Sequence, residues 1–217
     1  MPDLSSDLRP VFLFDGPEDA PLTLALAHGA GAPMDTPFMD AFAEGLAERG
    51  WRVVRFEFPY MAKRRDDGKR RPPDRAPVLL ESWRSVIETL GAERLVIGGK
   101  SMGGRMASLI AAENAAKTAV RGLVCLGYPF HPAGKPERLR TEHLADLRTP
   151  ALILQGTRDS LGNQAEVAGY SLSDSIRLHW AEDGDHDLKP RKASGRSRDQ
   201  NWQEAITALD GFLRSLA

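Results

Sequence analysis

Gly99-Lys100-Ser101-Met102-Gly103 places a serine hydroxyl among glycines, directly after the apolar run Arg94–Gly98 and directly before the helical segment Met102–Glu113. A strand that turns at once into a helix forces the turning residue into a strained backbone, so its neighbours must be almost without side chains. Gly98, Gly99, Gly103 and Gly104 meet that demand. A hydroxyl held there emerges at the end of the strand, and the first amides of the helix, Met102 N–H among them, aim at any negative charge developing beside it. The chemistry this predicts is attack by Ser101 on a carbonyl carbon, with a base to take the hydroxyl proton. The competing reading is a glycine-rich turn with no chemistry, which loses ground with each further part of the machinery. Gly98-Gly99-Lys100-Ser101 also looks like the end of a phosphate-binding loop, but that motif needs a glycine where this sequence has Arg94.

The base and its partner are sought further along the chain, in the order serine, acid, histidine. Asp159 ends the stretch Gly-Thr-Arg-Asp after the apolar run Ala151–Gly156, which puts a carboxylate at the same end of the strands as Ser101. Two histidines follow it. His179 lies inside the alternating run Ser175–Trp180 and is expected to be fixed on a strand, whereas His186 lies in the loop Glu182–Leu188 just beyond it. His186 is therefore the expected base, with Asp159 holding its imidazole in the tautomer that accepts a proton. Asp183, Asp185 and Asp187 flank the histidine and are expected to be solvated loop charges. Leu24–Pro33, LALAHGAGAP, is a strand ending in a glycine-bearing loop whose backbone N–H supplies a second donor to the oxyanion; Ala30 is assigned that N–H, with Gly31 the near alternative and His28 a structural anchor.

Parts so far apart in the chain must be brought together by an alternating arrangement of strands and helices. Strand-like runs fall at Val11–Phe14, Leu22–Ala27, Arg52–Phe56, Arg94–Gly98, Gly122–Leu126, Ala151–Gly156 and Ile176–Trp180. Helical periodicity falls at Pro37–Arg49, Val78–Leu90, Met102–Glu113, Glu137–Leu147, Gln164–Tyr170 and Asn201–Leu216. That alternation predicts an α/β chain with a mostly parallel central sheet of about seven strands and helices on both faces, as one domain over 1–217 with no large cap domain. Met61–Pro77 and Tyr128–Pro136 interrupt the pattern and read as loops, the first dense in charge. Both follow strands, at the sheet end where open α/β folds bind ligands.

With 41% hydrophobic and 27% charged residues among 217, the composition is globular, and no apolar run is long enough for a membrane-spanning helix. A formal net charge of -1 gives no overall field to attract nucleic acid. Cys125 is the single cysteine, which excludes an intrachain disulfide and a thiolate metal site, and its apolar run makes it a core residue. The N-terminal segment carries Asp3 and Asp7 where a secretory signal has positive charge, so a cytoplasmic location is expected.

Together, HGAGA near residue 28, GKSMGGR around Ser101, YPFHPAGKP followed by RTEHL, then LILQGTRD and GDHDL, resemble a compact α/β-hydrolase family over roughly residues 10 to 215. Those proteins are bacterial and similar to dienelactone hydrolases, and a related domain occurs in a subunit of the eukaryotic non-specific-lethal acetyltransferase complex. The resemblance implies the fold, a Ser101–Asp159–His186 triad and an oxyanion loop near Ala30. It departs from dienelactone hydrolases proper at the nucleophile, which is serine here and cysteine there. The expected activity is that of a serine hydrolase cleaving a carboxylic ester or thioester of a small acyl group, with no metal or cofactor and a small-molecule ester as partner, not nucleic acid or membrane. The alternative, from a different class, is a non-catalytic scaffold on the same fold. Met34 and Met102 are candidates for lining the pocket, and Arg64, Arg65 and Lys135 for attracting an anionic part of the substrate.

Overall fold

The computed structural model describes residues 10–113 and 120–217; residues 1–9, which begin the N-terminal segment considered above, lie outside the described residues. Seven strands, β1 (Phe12–Asp15), β2 (Thr23–Ala27), β3 (Arg52–Phe56), β4 (Leu95–Lys100), β5 (Gly122–Leu126), β6 (Ala151–Gly156) and β7 (Ile176–Ala181), form one sheet in the order β1-β3-β2-β4-β5-β6-β7. β1 runs antiparallel to β3, and all other neighbours are parallel. The seven described helices are α1 (Pro37–Ala47), α2 (Pro59–Asp67), α3 (Ala76–Leu90), α4 (Met102–Ala112), α5 (Glu142–Ala145), α6 (Gln164–Val167) and α7 (Arg198–Arg214). Among the described residues no large cap domain is inserted between them.

Strand side chains alternate between faces, which makes two cores. Ala25, Ile97, Cys125 and Ile153 pack toward Trp83 of α3 and Ile110 of α4. Leu24, Val96, Val124 and Leu152 pack toward Phe42 of α1 and Leu209 of α7. The chain reverses its direction of travel across the sheet between β2 and β4, so their carboxyl ends flank the crevice where ligands bind in open α/β sheets.

The structure departs from one loop expectation and two helix expectations. Met61–Pro77 is not a loop throughout: α2 occupies Pro59–Asp67 and α3 begins at Ala76. Pro77 stands in the first turn of α3 and Pro59, just ahead of the segment, in that of α2, where no N–H is needed, while Pro72 and Pro73 lie between the two helices; Gly68, at φ 70°, closes α2 in the left-handed region. The expected helix Glu137–Leu147 shrinks to α5, because Arg140 N–H donates to Phe130 O at 2.8 Å and the chain bonds to the preceding loop before it can bond to itself. Gln164–Tyr170 likewise shrinks to α6, started by a reciprocal cap between Asn163 and Glu166.

Candidate active site

Ser101 stands between β4 and α4 with φ 51° and ψ -113°, a conformation rare for a residue with a side chain. Its N–H donates to Leu126 O at 3.0 Å, and the residue is partly exposed and borders the clefts described below. The turn is this sharp because α4 lies directly on β2: a Cβ on Gly99 would sit 2.3 Å, and one on Gly103 2.5 Å, from Ala27 O.

Asp159, fully buried, accepts His186 Nδ1–H at 2.7 Å on Oδ2 and Leu161 N–H at 2.8 Å on Oδ1. An ionised carboxylate can only accept, so the His186 proton sits on Nδ1 and Nε2 is left with a lone pair. Gln155, also fully buried, donates to the same Oδ2 at 2.9 Å and accepts Tyr128 N–H at 2.7 Å, which ties the acid to the loop after β5. Lys100 Nζ reaches across from β4 to donate to His186 O at 2.6 Å and pairs with Asp187 at 3.1 Å. Burial pushes the Lys100 ammonium down from its ordinary value, against the pull of Asp187, Asp159 and Asp185. The imidazole rests on Gly127, where a Cβ would lie 3.3 Å from His186 Cε1 and 2.7 Å from His186 O.

On the other side of Ser101, fully buried His28 fixes the loop after β2. Its Nε2 accepts Phe58 N–H at 3.1 Å and its Nδ1 donates to Gly29 O at 2.7 Å, so both nitrogens are committed; burial holds its pKa below 6.5. Tyr60 donates its hydroxyl to Ala30 O at 2.9 Å. Two carbonyls of this loop are thereby engaged by the protein, while the N–H groups of Ala30 and Met102 have no acceptor among the described residues.

Among the described residues two clefts meet at Ser101. The first, about 600 Å³, is lined by Phe38, Met39, Lys100, His186 and Trp202; the second, about 480 Å³, by Met102, Arg105, Met106, Arg140 and Leu161. Ala30 borders both and Gly31 the first. The structure thus brings Ser101, Asp159, His186, Ala30, Gly31 and Met102 to one end of the sheet. Arg64, Arg65 and Lys135 line neither cleft. Arg65 is held by Glu57 at 2.6 Å and Asp35 at 2.9 Å, and Arg64 leans on Gly31 O at 3.4 Å. Met34 is buried outside both clefts, and His179 stays on β7 away from them. Asp183 differs from the expected solvated charge: it is buried, and its Arg191 partner holds it at about 2. Among the described residues no group of three or more metal-ligating side chains converges, and no helix is long and apolar enough to cross a membrane.

Gln155 and Lys100 join the site with no role assigned to them from the sequence. A glutamine closing an otherwise apolar strand, and a lysine inside the serine motif, were the available signals, since a buried polar group must have partners.

Residues 20–214 match the family of the alpha/beta hydrolase domain, and the chain belongs to it. Solved structures with the same fold include an alpha-beta serine hydrolase homologue from Coxiella burnetii, 18% identical with a TM-score of 0.67 over 95% of this chain and 91% of that one. A serine hydrolase without lid from Xanthomonas campestris is 21% identical with a TM-score of 0.66, covering 94% of this chain and 88% of that one. Est1E from Butyrivibrio proteoclasticus, solved with ferulic acid bound, is 16% identical with a TM-score of 0.70, covering 95% of each chain.

Proposed function

We propose that the protein is a serine hydrolase that cleaves carboxylic esters of small acyl groups, thioesters being the nearest variant of the same chemistry. The observation that carries this reading is a strained serine sharing a cleft with an imidazole whose far nitrogen is bonded, at 2.7 Å, to a buried carboxylate. In this reading His186 Nε2 takes the proton of Ser101 Oγ as the oxygen attacks the ester carbonyl carbon. The oxyanion of the tetrahedral intermediate is held by Met102 N–H and Ala30 N–H, with Gly31 the neighbouring alternative, and Asp159 stabilises the imidazolium. Collapse breaks the ester bond, His186 returns the proton to the departing alkoxide, and water activated by the same imidazole hydrolyses the acyl-serine.

Two features support this reading. Amide donors without an acceptor among the described residues flank Ser101, and losing one such donor typically costs about a hundredfold in rate. The clefts are open and modest in volume, which suits small acyl groups. Hydrolysis of short-chain p-nitrophenyl esters by the wild type, compared with Ser101→Ala and His186→Ala, tests the proposal. Loss of at least about a thousandfold in kcat in both variants is expected; a folded wild-type protein with no turnover above buffer favours the scaffold reading.

A further inference from the structure

Arg105 and Arg140 are two guanidinium groups in the second cleft that the proposed chemistry leaves without a task. Arg105 stands one helical turn from Ser101, its N–H on Ser101 O at 2.9 Å. Side chains on a helix lean toward its N-terminus, here toward the serine. Arg105 Nε is buried and has no acceptor among the described residues. Neither arginine has a carboxylate within ion-pair distance among the described residues, whereas Arg65, Arg71, Arg191 and Arg196 on the surface are all paired.

The polar side chains packed around the two arginines, Ser108, Tyr128 and His143, bring no negative charge. His143 Nε2 lies 2.8 Å from Ser108 Oγ, and Ser108 donates its own proton to Arg105 O, so the imidazole is the donor in that pair. Tyr128 spends its hydroxyl proton on Arg140 O at 2.8 Å. Burial, and then the Arg105 charge, push His143 down to about 4, so it adds no charge near pH 7. Burial, together with the Arg105 charge, also pushes Arg140 down from the ordinary guanidinium value. Asp74 is the carboxylate among the lining residues; its Oδ2 accepts Tyr60 N–H at 2.9 Å and it pairs with neither arginine. Two cations facing a cleft with one carboxylate are poorly compensated until an anion arrives.

His186 lines the first cleft and not the second. Because the base hands its proton to the departing alkoxide, the alcohol part belongs on the His186 side and the acyl chain on the other. We propose that Arg105 and Arg140 bind a carboxylate at the far end of the acyl chain, making monoesters of short dicarboxylic acids the substrate class. This rests on the serine-hydrolase reading above. Leu79, Met102, Met106 and Pro129 supply the apolar wall for the intervening methylenes. Arg105 is anchored one helical turn from Ser101, and both border the same cleft, so the chain that joins the ester carbonyl to the carboxylate is a short one.

The test compares monomethyl glutarate with methyl valerate, and monomethyl succinate with methyl butyrate, by methanol release. Wild type should favour the charged member of each pair by at least about tenfold in kcat/KM. In Arg105→Met and in Arg140→Gln that ratio should fall toward unity; should Arg105→Met fail to fold, Arg140→Gln decides alone, because Arg140 lies outside every helix and strand whereas Arg105 is part of α4. A wild-type ratio at or below one, or a high ratio untouched by the substitutions, overturns the carboxylate site while leaving ester hydrolysis standing. Turnover of none of the four esters removes the parent reading and this one with it.

Discussion

Replacing Lys100 with methionine sets two effects of similar size against each other in stability, but not in activity. The Lys100 side chain is only 11% exposed, so its charge is costly to hold, and burial lowers its pKa accordingly. In return it donates to His186 O at 2.6 Å, a charge-assisted hydrogen bond of about 1.5–3 kcal/mol. Its other partner, Asp187, is 64% exposed and is re-solvated when released, so breaking that pair costs little. The ammonium also lies 5.3 Å from the centre of the Phe38 ring, where methionine would set a polarisable thioether in its place. Relief of desolvation therefore offsets most of the lost hydrogen bond, and the net stability change should stay within about 1 kcal/mol, a shift of about 2–4 °C in Tm. Activity has no such offset. The carbonyl that loses its donor belongs to the proposed base itself, and if the full hydrogen-bond energy is expressed in imidazole placement, kcat falls about 10- to 150-fold with little change in KM. Thermal unfolding and steady-state kinetics on one short ester check both halves. Unchanged kcat would show that Lys100 does not position His186, and a Tm loss beyond about 10 °C would refute the desolvation argument.

Gln155→Leu should destabilise by about 3–5 kcal/mol in urea unfolding, because it strands the buried Tyr128 N–H, Gly162 O and one face of Asp159; a loss below about 1 kcal/mol would mean those groups find other partners. His143 is held at about 4 in the folded state, against about 6.5 unfolded, so the unfolded chain takes up the proton first. Its neutral burial is therefore without penalty above pH 6.5, and stability is lost as pH falls from 6.5 toward 4, by at most about 3 kcal/mol. His143→Gln should flatten the urea midpoint across that window relative to wild type; parallel curves would contradict the shift.

The segment from β4 through Ser101 into α4 was legible because its glycines answer a steric demand that the sequence displays directly. The same holds for His186 over His179: one sits in a loop beyond a strand, the other in an alternating run, and chain order selects between them. α2 was not legible, since its buried residues, Tyr60 and Met61, lie together at its start and leave no helical period among the charges that follow. Nor does composition say which cations are spent. Arg65 is consumed by two carboxylates brought from elsewhere in the chain, while Arg105 and Arg140, unremarkable in sequence, border the cleft at Ser101 with no ion-pair partner among the described residues. Pairing is a property of three-dimensional neighbours, and no spacing along the chain encodes it.

The most direct measurement is reaction of the wild-type protein with a fluorophosphonate, followed by mass mapping of the modified peptide. The account predicts a single adduct on Ser101 that forms much more slowly in His186→Ala; a folded protein that stays unmodified, or carries its adduct on another residue, would contradict it.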